Sequence, residues 1–173
     1  MLYAQSSSQQ QQAQAATAPD RARCTNGTKE GVVAQDNKTF VCSSNPTEAG
    51  QGYAQLVRAG PLIYISGVSA LDSHSGRMPA HLVLEAAGQT RAIMRRIRQL
   101  LETVGCSEKS IVRMRIYVVD MVRDSRQIQL AMTQWLNESA GGAAMKPGIT
   151  IVEVRRLSSE PVLLEVEVDA VNL

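Results

Sequence analysis

Aromatic side chains are scarce in this chain: Phe40 and Trp135 are each alone in their class, and Phe, Trp and Tyr together make 3% of 173 residues. That scarcity excludes the stacking platforms on which single-stranded nucleic acids are held. It also leaves any small-ligand site to be walled mainly by aliphatic groups. An excess of one charge is missing as well. Eighteen Lys and Arg against sixteen Asp and Glu give a formal charge of +2, far from the basic balance of a phosphate-backbone binder, so nucleic acid is not an expected partner. The two histidines, His74 and His81, have no Cys, His or carboxylate at metal-ligand spacing, and neither a metal nor another cofactor is expected. Ser73-His74-Ser75 gives no triad that sequence certifies. Gly141-Gly142 precedes no Lys-Ser/Thr pair and reads as a connection, not a phosphate cradle. No apolar run reaches the ~18 residues a membrane-spanning helix needs.

What is present divides in three. Residues 1–22 are dominated by Gln, Ser, Ala and Thr, a composition that cannot bury enough apolar surface to offset ordering entropy, so a disordered tail is expected. Residues 23–50 contain Cys24 and Cys42, which bracket two short β-branched runs around Asp36-Asn37, the pattern of a small hairpin appendage. A disulfide between these cysteines would contribute about 3 kcal/mol in an oxidising compartment. Two unpaired thiols are the other reading. Asn26, Asn37 and Asn137 each begin an Asn-X-Ser/Thr triplet, the acceptor pattern for glycosylation. Together with the cysteines they point to a secreted or otherwise extracytoplasmic protein, with a cytoplasmic location as the alternative. The first four residues are too short to supply the apolar stretch of a signal peptide.

Residues 51–173 read as one α+β domain of order ββαβαββ. Tyr53–Arg58 and Leu62–Gly67 flank the turn Ala59-Gly60-Pro61 and form a hairpin. From about Leu82 to Val104, Ile93, Ile97, Leu100, Leu101 and Val104 recur at helical spacing and Gly105 ends the helix. Ile111–Asp120 has the character of a central strand, Ser125–Asn137 of a second helix, and Gly148–Val154 and Val162–Val171 of two closing strands. Cys106, with no basic partner or His nearby in sequence, reads as structural.

Four strings in this order, "GYAQLVRAGPLIYISG", "QTRAIMRRIRQLLETVGCSEKSIVRMRIYVVDM", "PGITIVEVRRL" and "LLEVEVDAV", resemble the Rid proteins (YjgF/RidA). The resemblance covers Tyr53 to Leu173. It implies the chorismate-mutase-like fold, a mixed sheet with two helices on one face. It also implies a homotrimer with small-molecule clefts between subunits, and hydrolysis of enamines and imines to ketoacids. The cysteine-bracketed hairpin and the Gln-rich tail lie outside it.

Within the resemblance, Tyr53, Ser66, Gly67 and Thr150 fall at ligand-site positions, and Glu165 matches the acidic residue that positions the hydrolytic water. Glu165 and Glu167 alternate with Leu164, Val166 and Val168, so the two acids share one face of their strand. Glu167 reads more readily as a solvated acid at a sheet edge. Tyr53 either offers its hydroxyl to a ligand or, as a buried strand residue, satisfies it locally. Ile149 stands where the deaminases carry an Arg that grips the substrate carboxylate. An Arg fork binds a carboxylate bidentately, and isoleucine has no donor, so ordinary 2-imino acids are expected to be poor substrates and a more neutral ligand better ones. Arg96 stands where the family has Asn. It belongs either to a solvated face with Arg91, Arg95 and Arg98 or to a carboxylate clamp displaced from position 149. Three functions remain open: a trimer binding a different small molecule, a divergent hydrolase or tautomerase using Glu165, and an extracellular scaffold.

Overall fold

The computed structural model describes residues 31–42, 52–139 and 145–172. The tail at 1–22, Cys24, Asn26 and Gly141-Gly142 lie outside the described residues. Seven strands form one sheet: β1 (Gly31–Gln35), β2 (Lys38–Cys42), β3 (Leu56–Ala59), β4 (Leu62–Val68), β5 (Ile111–Val118), β6 (Gly148–Glu153) and β7 (Leu164–Val171). Helix α1 (Ala86–Thr103) joins β4 to β5, and α2 (Met121–Ser139) joins β5 to β6. The strand order is β1-β2-β3-β4-β7-β5-β6. All pairings are antiparallel except β5 with β6, as expected of a crossover through a helix. The sheet is therefore mixed, and the ββαβαββ order of the main domain is present in full.

The hairpin turns at Asp36 and Asn37, both with positive φ (49° and 61°), the backbone of a type I′ turn whose twist suits two antiparallel strands. It is continuous with the main sheet. β2 runs antiparallel to β3, with Val41 opposite Leu56, and both side chains are fully buried. The hairpin thus widens the sheet by two strands and adds to its core.

One sheet face is apolar and carries both helices. Ile63 and Ile65 of β4, Met114, Ile116 and Val118 of β5, and Leu164, Val166, Val168 and Ala170 of β7 are buried with Ile93, Met94, Ile97, Leu100 and Leu101 of α1 and Ile128, Met132 and Trp135 of α2. The period of two on the strands meets the period of 3.6 on the helices. Buried Cys106, a free thiol, belongs to this core.

Helix limits depart from the sequence expectation at the start of each helix. α1 begins at Ala86, preceded by a short 3-10 turn at Ala80–Leu82, because Leu84 takes a positive φ of 59° that no α-helix continues through. α2 starts earlier than the periodicity suggested. Asp120 caps it, its Oδ1 accepting the Arg123 N–H at 2.9 Å, the bond an N-cap makes to the third helical residue.

Gln89 is fully buried and satisfied on every side. Its Nε2 donates to the Leu82 and Pro161 carbonyls at 3.0 Å each, and its Oε1 accepts the Leu163 N–H at 2.9 Å. It ties the first turn of α1 to the segment that enters β7. Met114, central in β5, has no exposed surface. Met114→Ala is expected to lower unfolding free energy by about 2–5 kcal/mol through lost burial and an unfilled cavity, read as a shift in the urea midpoint; a shift near zero contradicts this core assignment.

Candidate functional site

The register between β4 and β7 slips between Ile65 and Val68, a bulge that re-aims the side chains and backbone on either side of it. Ser66 and Gly67 occupy this slip. Ser66 is held on the strand side, its hydroxyl donating to the Ala54 carbonyl at 2.8 Å and its N–H to the Gln55 carbonyl at 2.9 Å. Gly67 makes space for Glu165 of the neighbouring β7: a Cβ built on Gly67 would stand 2.2 Å from Glu165 Oε1 and 2.6 Å from Cδ. No larger residue fits at 67 without displacing the carboxylate.

Glu165 is half-buried. Desolvation, and secondarily the negative charge of Glu167, raise its pKa above the usual 4.5, since both disfavour the charged form. The adjoining depression is lined by Tyr53, Gln55, Ser66, Gly67, Asp72 and Arg96, among others. Tyr53 lies just before β3 and is 44% exposed, which removes the reading of a buried strand tyrosine. Asp72 shapes the rim: its Oδ1 accepts the Ser75 N–H and hydroxyl at 2.8 Å each, and these bonds hold its pKa below the ordinary value.

The arginines of α1 do not share one solvated face. Arg91, Arg95 and Arg98 follow one row at spacings of four and three, and Arg98 pairs with Glu108. Arg96 falls on another row with Gln89, Ile93 and Leu100, three of which are buried. That row turns Arg96 toward the sheet, where its Nη2 donates to Gln55 Oε1 at 2.5 Å. Of the two expectations for this residue, the solvated face is the one to correct.

Glu167 also departs from expectation. β7 lies between β4 and β5, so its acids are not at a sheet edge. Glu167 Oε2 accepts from Arg115 Nη1 at 3.2 Å and from the Tyr117 hydroxyl at 3.1 Å, and Arg115 Nη2 reaches Asp169 at 2.7 Å. Burial, and then the bond to Glu167, raise the Tyr117 pKa. Arg115 and Tyr117 were not singled out from sequence. The alternation of Arg113, Arg115 and Tyr117 in β5 was the available signal, placing basic and phenolic groups on the face that carries the acids of β7.

Tyr53, Ser66, Gly67 and Arg96 thus line one depression, and Glu165 stands against Gly67. Ile149 and Thr150 are not among them. β6 is the outer strand, two positions from β7. Ile149 pairs with Met114, whereas Glu165 pairs with Tyr117, and Ile149 is 42% exposed. Thr150, paired with Arg115, is exposed too. Asn37 is exposed at the hairpin tip, Asn137 is exposed in the last turn of α2, and Cys42 is buried at the end of β2. No described helix is long and apolar enough to cross a membrane.

A raised carboxyl pKa in the folded state sets a pH dependence. The folded protein holds the proton of Glu165 more tightly than the unfolded chain, so ionising this group costs stability. The cost is nil below the unfolded value, grows as pH rises through it, and is complete above the folded pKa. Glu165→Gln is therefore expected to have a higher Tm than the parent at neutral pH, with the difference vanishing at about pH 4 and below. Equal Tm values at both pH values contradict the desolvation of this group.

Comparison with known proteins agrees with this architecture. The sequence profile of the family described as "Endoribonuclease L-PSP" matches residues 43–172. A RutC family protein of Pyrococcus horikoshii is 27% identical over 130 residues, 75% of this chain and 94% of that protein. Among solved structures, Rv2704 of Mycobacterium tuberculosis, described as a member of the YjgF/YER057c/UK114 family, is 30% identical with a TM-score of 0.63 over 78% of this chain and 99% of its own. TdcF of E. coli, solved with bound serine, is 26% identical with a TM-score of 0.61 over 70% of this chain and 88% of its own.

Proposed function

We propose that this chain, which belongs to the endoribonuclease L-PSP family of YjgF/RutC (Rid) proteins, is a divergent imine or enamine hydrolase in which Glu165 is the acid–base residue. The observation that carries this reading is the seating of the Glu165 carboxyl against Gly67, a residue that lines a depression with Ser66 and Tyr53. A half-desolvated carboxyl with a raised pKa exchanges a proton near neutrality more readily than a solvated one. It first protonates the imine nitrogen; the resulting carboxylate then takes a proton from the water that attacks the imine carbon. The tetrahedral carbinolamine collapses, ammonia leaves, and a ketone or ketoacid remains.

The chain assembles as a homotrimer with its clefts between subunits. This is supported by the position of β6: Ile149 and Thr150 sit on an outer strand away from Glu165 of their own chain, and border such a cleft only from a neighbouring copy. Ile149, at the place of the carboxylate-binding Arg, makes that wall apolar. An assay of ammonia release from 2-aminoacrylate generated in situ tests both points. Glu165→Gln is expected to lose about a hundredfold or more in rate while keeping the parent's elution volume, and Ile149→Arg to gain at least about tenfold in kcat/KM. Undiminished activity in Glu165→Gln overturns the acid–base role.

A disulfide between Cys24 and Cys42, and export to an oxidising compartment, are part of the same proposal. They are supported by Cys106 being free and buried, which leaves Cys24 and Cys42 as the two remaining cysteines of the chain, and by the exposure of Asn37 and Asn137 for glycosylation. The intact mass is expected to rise by two hydrogens on reduction. No rise removes the disulfide and weakens export.

A further inference from the structure

We infer that the depression at the carboxyl ends of β5 and β6 is a second ligand site, which takes a small phosphate monoester with an apolar body. Among the described residues it shares no lining side chain with the depression at Gly67. Its place in the fold is the first observation. β5 and β6 are parallel, so both carboxyl ends open on the same side, and the crevice beyond such ends is where open sheets hold ligands. Val119 follows β5 directly, and Arg155 and Arg156 follow β6 after one residue. The ladder runs up to their base: the Val154 N–H donates to the Val118 carbonyl at 2.8 Å, and the Val119 N–H to the Leu163 carbonyl at 3.0 Å. The arginines therefore start from a fixed backbone.

The second observation is that their charge is uncompensated. Among the described residues, neither the Arg155 nor the Arg156 side chain makes a hydrogen bond or an ion pair. The acids nearest in sequence are engaged elsewhere: Glu153 accepts the Met121 N–H at 2.9 Å and Asp120 the Arg123 N–H at 2.9 Å. Two adjacent guanidinium groups repel each other, and an anion between them relieves that repulsion. The third observation is the lining. Ser158 and Ser159 add hydroxyl donors beside the arginines, and Val119, Leu157 and Val162 supply an apolar surface. A single Arg fork satisfies a carboxylate, whereas two forks with two hydroxyls match the three oxygens and higher charge of a phosphoryl group. Glu160 lines the same depression; two arginines against one glutamate leave it positive, and the glutamate turns the anionic group toward the arginine side. A volume of about 590 Å³ lies within the range of small-molecule sites, roughly 300–1,000 Å³.

Calorimetry on the full chain with phenyl phosphate, and with benzoate as a carboxylate of similar apolar body, tests this. The parent is expected to bind phenyl phosphate at least about tenfold more tightly than benzoate, and Arg155→Gln and Arg156→Gln each to lose about tenfold in affinity for it. The double variant is expected to show no binding, and Glu160→Gln to bind at least as tightly as the parent. Circular dichroism establishes that each variant is folded; the single variants carry the comparison if the double variant does not fold. No binding of phenyl phosphate by the parent, benzoate bound as tightly, or affinity unchanged in the folded arginine variants overturns the inference.

Discussion

The last strand of the chain is the interior strand on which both halves of the sheet depend. β7 runs between β4 and β5, so the N-terminal strands and the helix-linked strands meet only through it. Its alternation leaves no freedom of register. Leu164, Val166, Val168 and Ala170 enter the core and Glu165, Glu167 and Asp169 face the other way, and a slip by one residue would exchange the two sets. The buried amide of Gln89 fixes where β7 begins, by accepting the Leu163 N–H one residue before the strand. An unpaired N–H there would cost roughly 1–3 kcal/mol. The Gln-Thr pair that opens α1 thereby has a physical reason: Gln89 closes three backbone groups, and the Thr90 hydroxyl donates to the Ala86 carbonyl at 2.8 Å within the same buried turn.

The same strand builds the site. Glu165 is aimed by the β7 alternation, and the bulge in β4 presents Gly67 beneath it. Neither element makes the arrangement alone. A regular β4 would direct a side chain at this place, and a register shift in β7 would put Val166 there. The geometry of the Glu165 carboxyl is thus a by-product of the constraint that holds the fold together, which is why a site on strands is stiffer than one on loops.

Much of this was legible in the sequence, and what was not has specific causes. The strand alternation placed the acids on one face, and the Asp36-Asn37 turn disclosed the hairpin. The hairpin's attachment to β3 was hidden, because strand pairing across a long sequence separation leaves no local period. The start of α1 was misjudged because Leu84, an ordinary residue in composition, adopts a left-handed backbone. Sequence leaves Arg96 open between a solvated face and a displaced clamp, because four arginines in eight residues look like one charged run. Counting along the helical rows separates it, since Gln89, Ile93 and Leu100 are the residues it stands above and below. Ile149 was identified from the resemblance alone, and its distance from Glu165 within one chain appears only when the strand order is known.

Three carboxylates on one face of a strand would repel one another if all were treated alike, and the sheet distributes them unequally. Arg115 lies opposite Glu167 in the register and reaches both Glu167 and Asp169, and Tyr117 donates to Glu167 as well. Those two acids have their charge compensated where they stand. Glu165 lies opposite Tyr117, whose hydroxyl is turned to Glu167, and the glycine beneath it contributes neither charge nor side-chain donor. Its pKa rises from burial while the negative Glu167 adds to the rise. Acids placed in unlike environments take unlike roles, those paired with Arg115 structural, the desolvated one better able to carry a proton. Arg115 therefore does more than join two strands: by spending its charge on Glu167 and Asp169, it leaves Glu165 as the acid of the three that the fold does not neutralise.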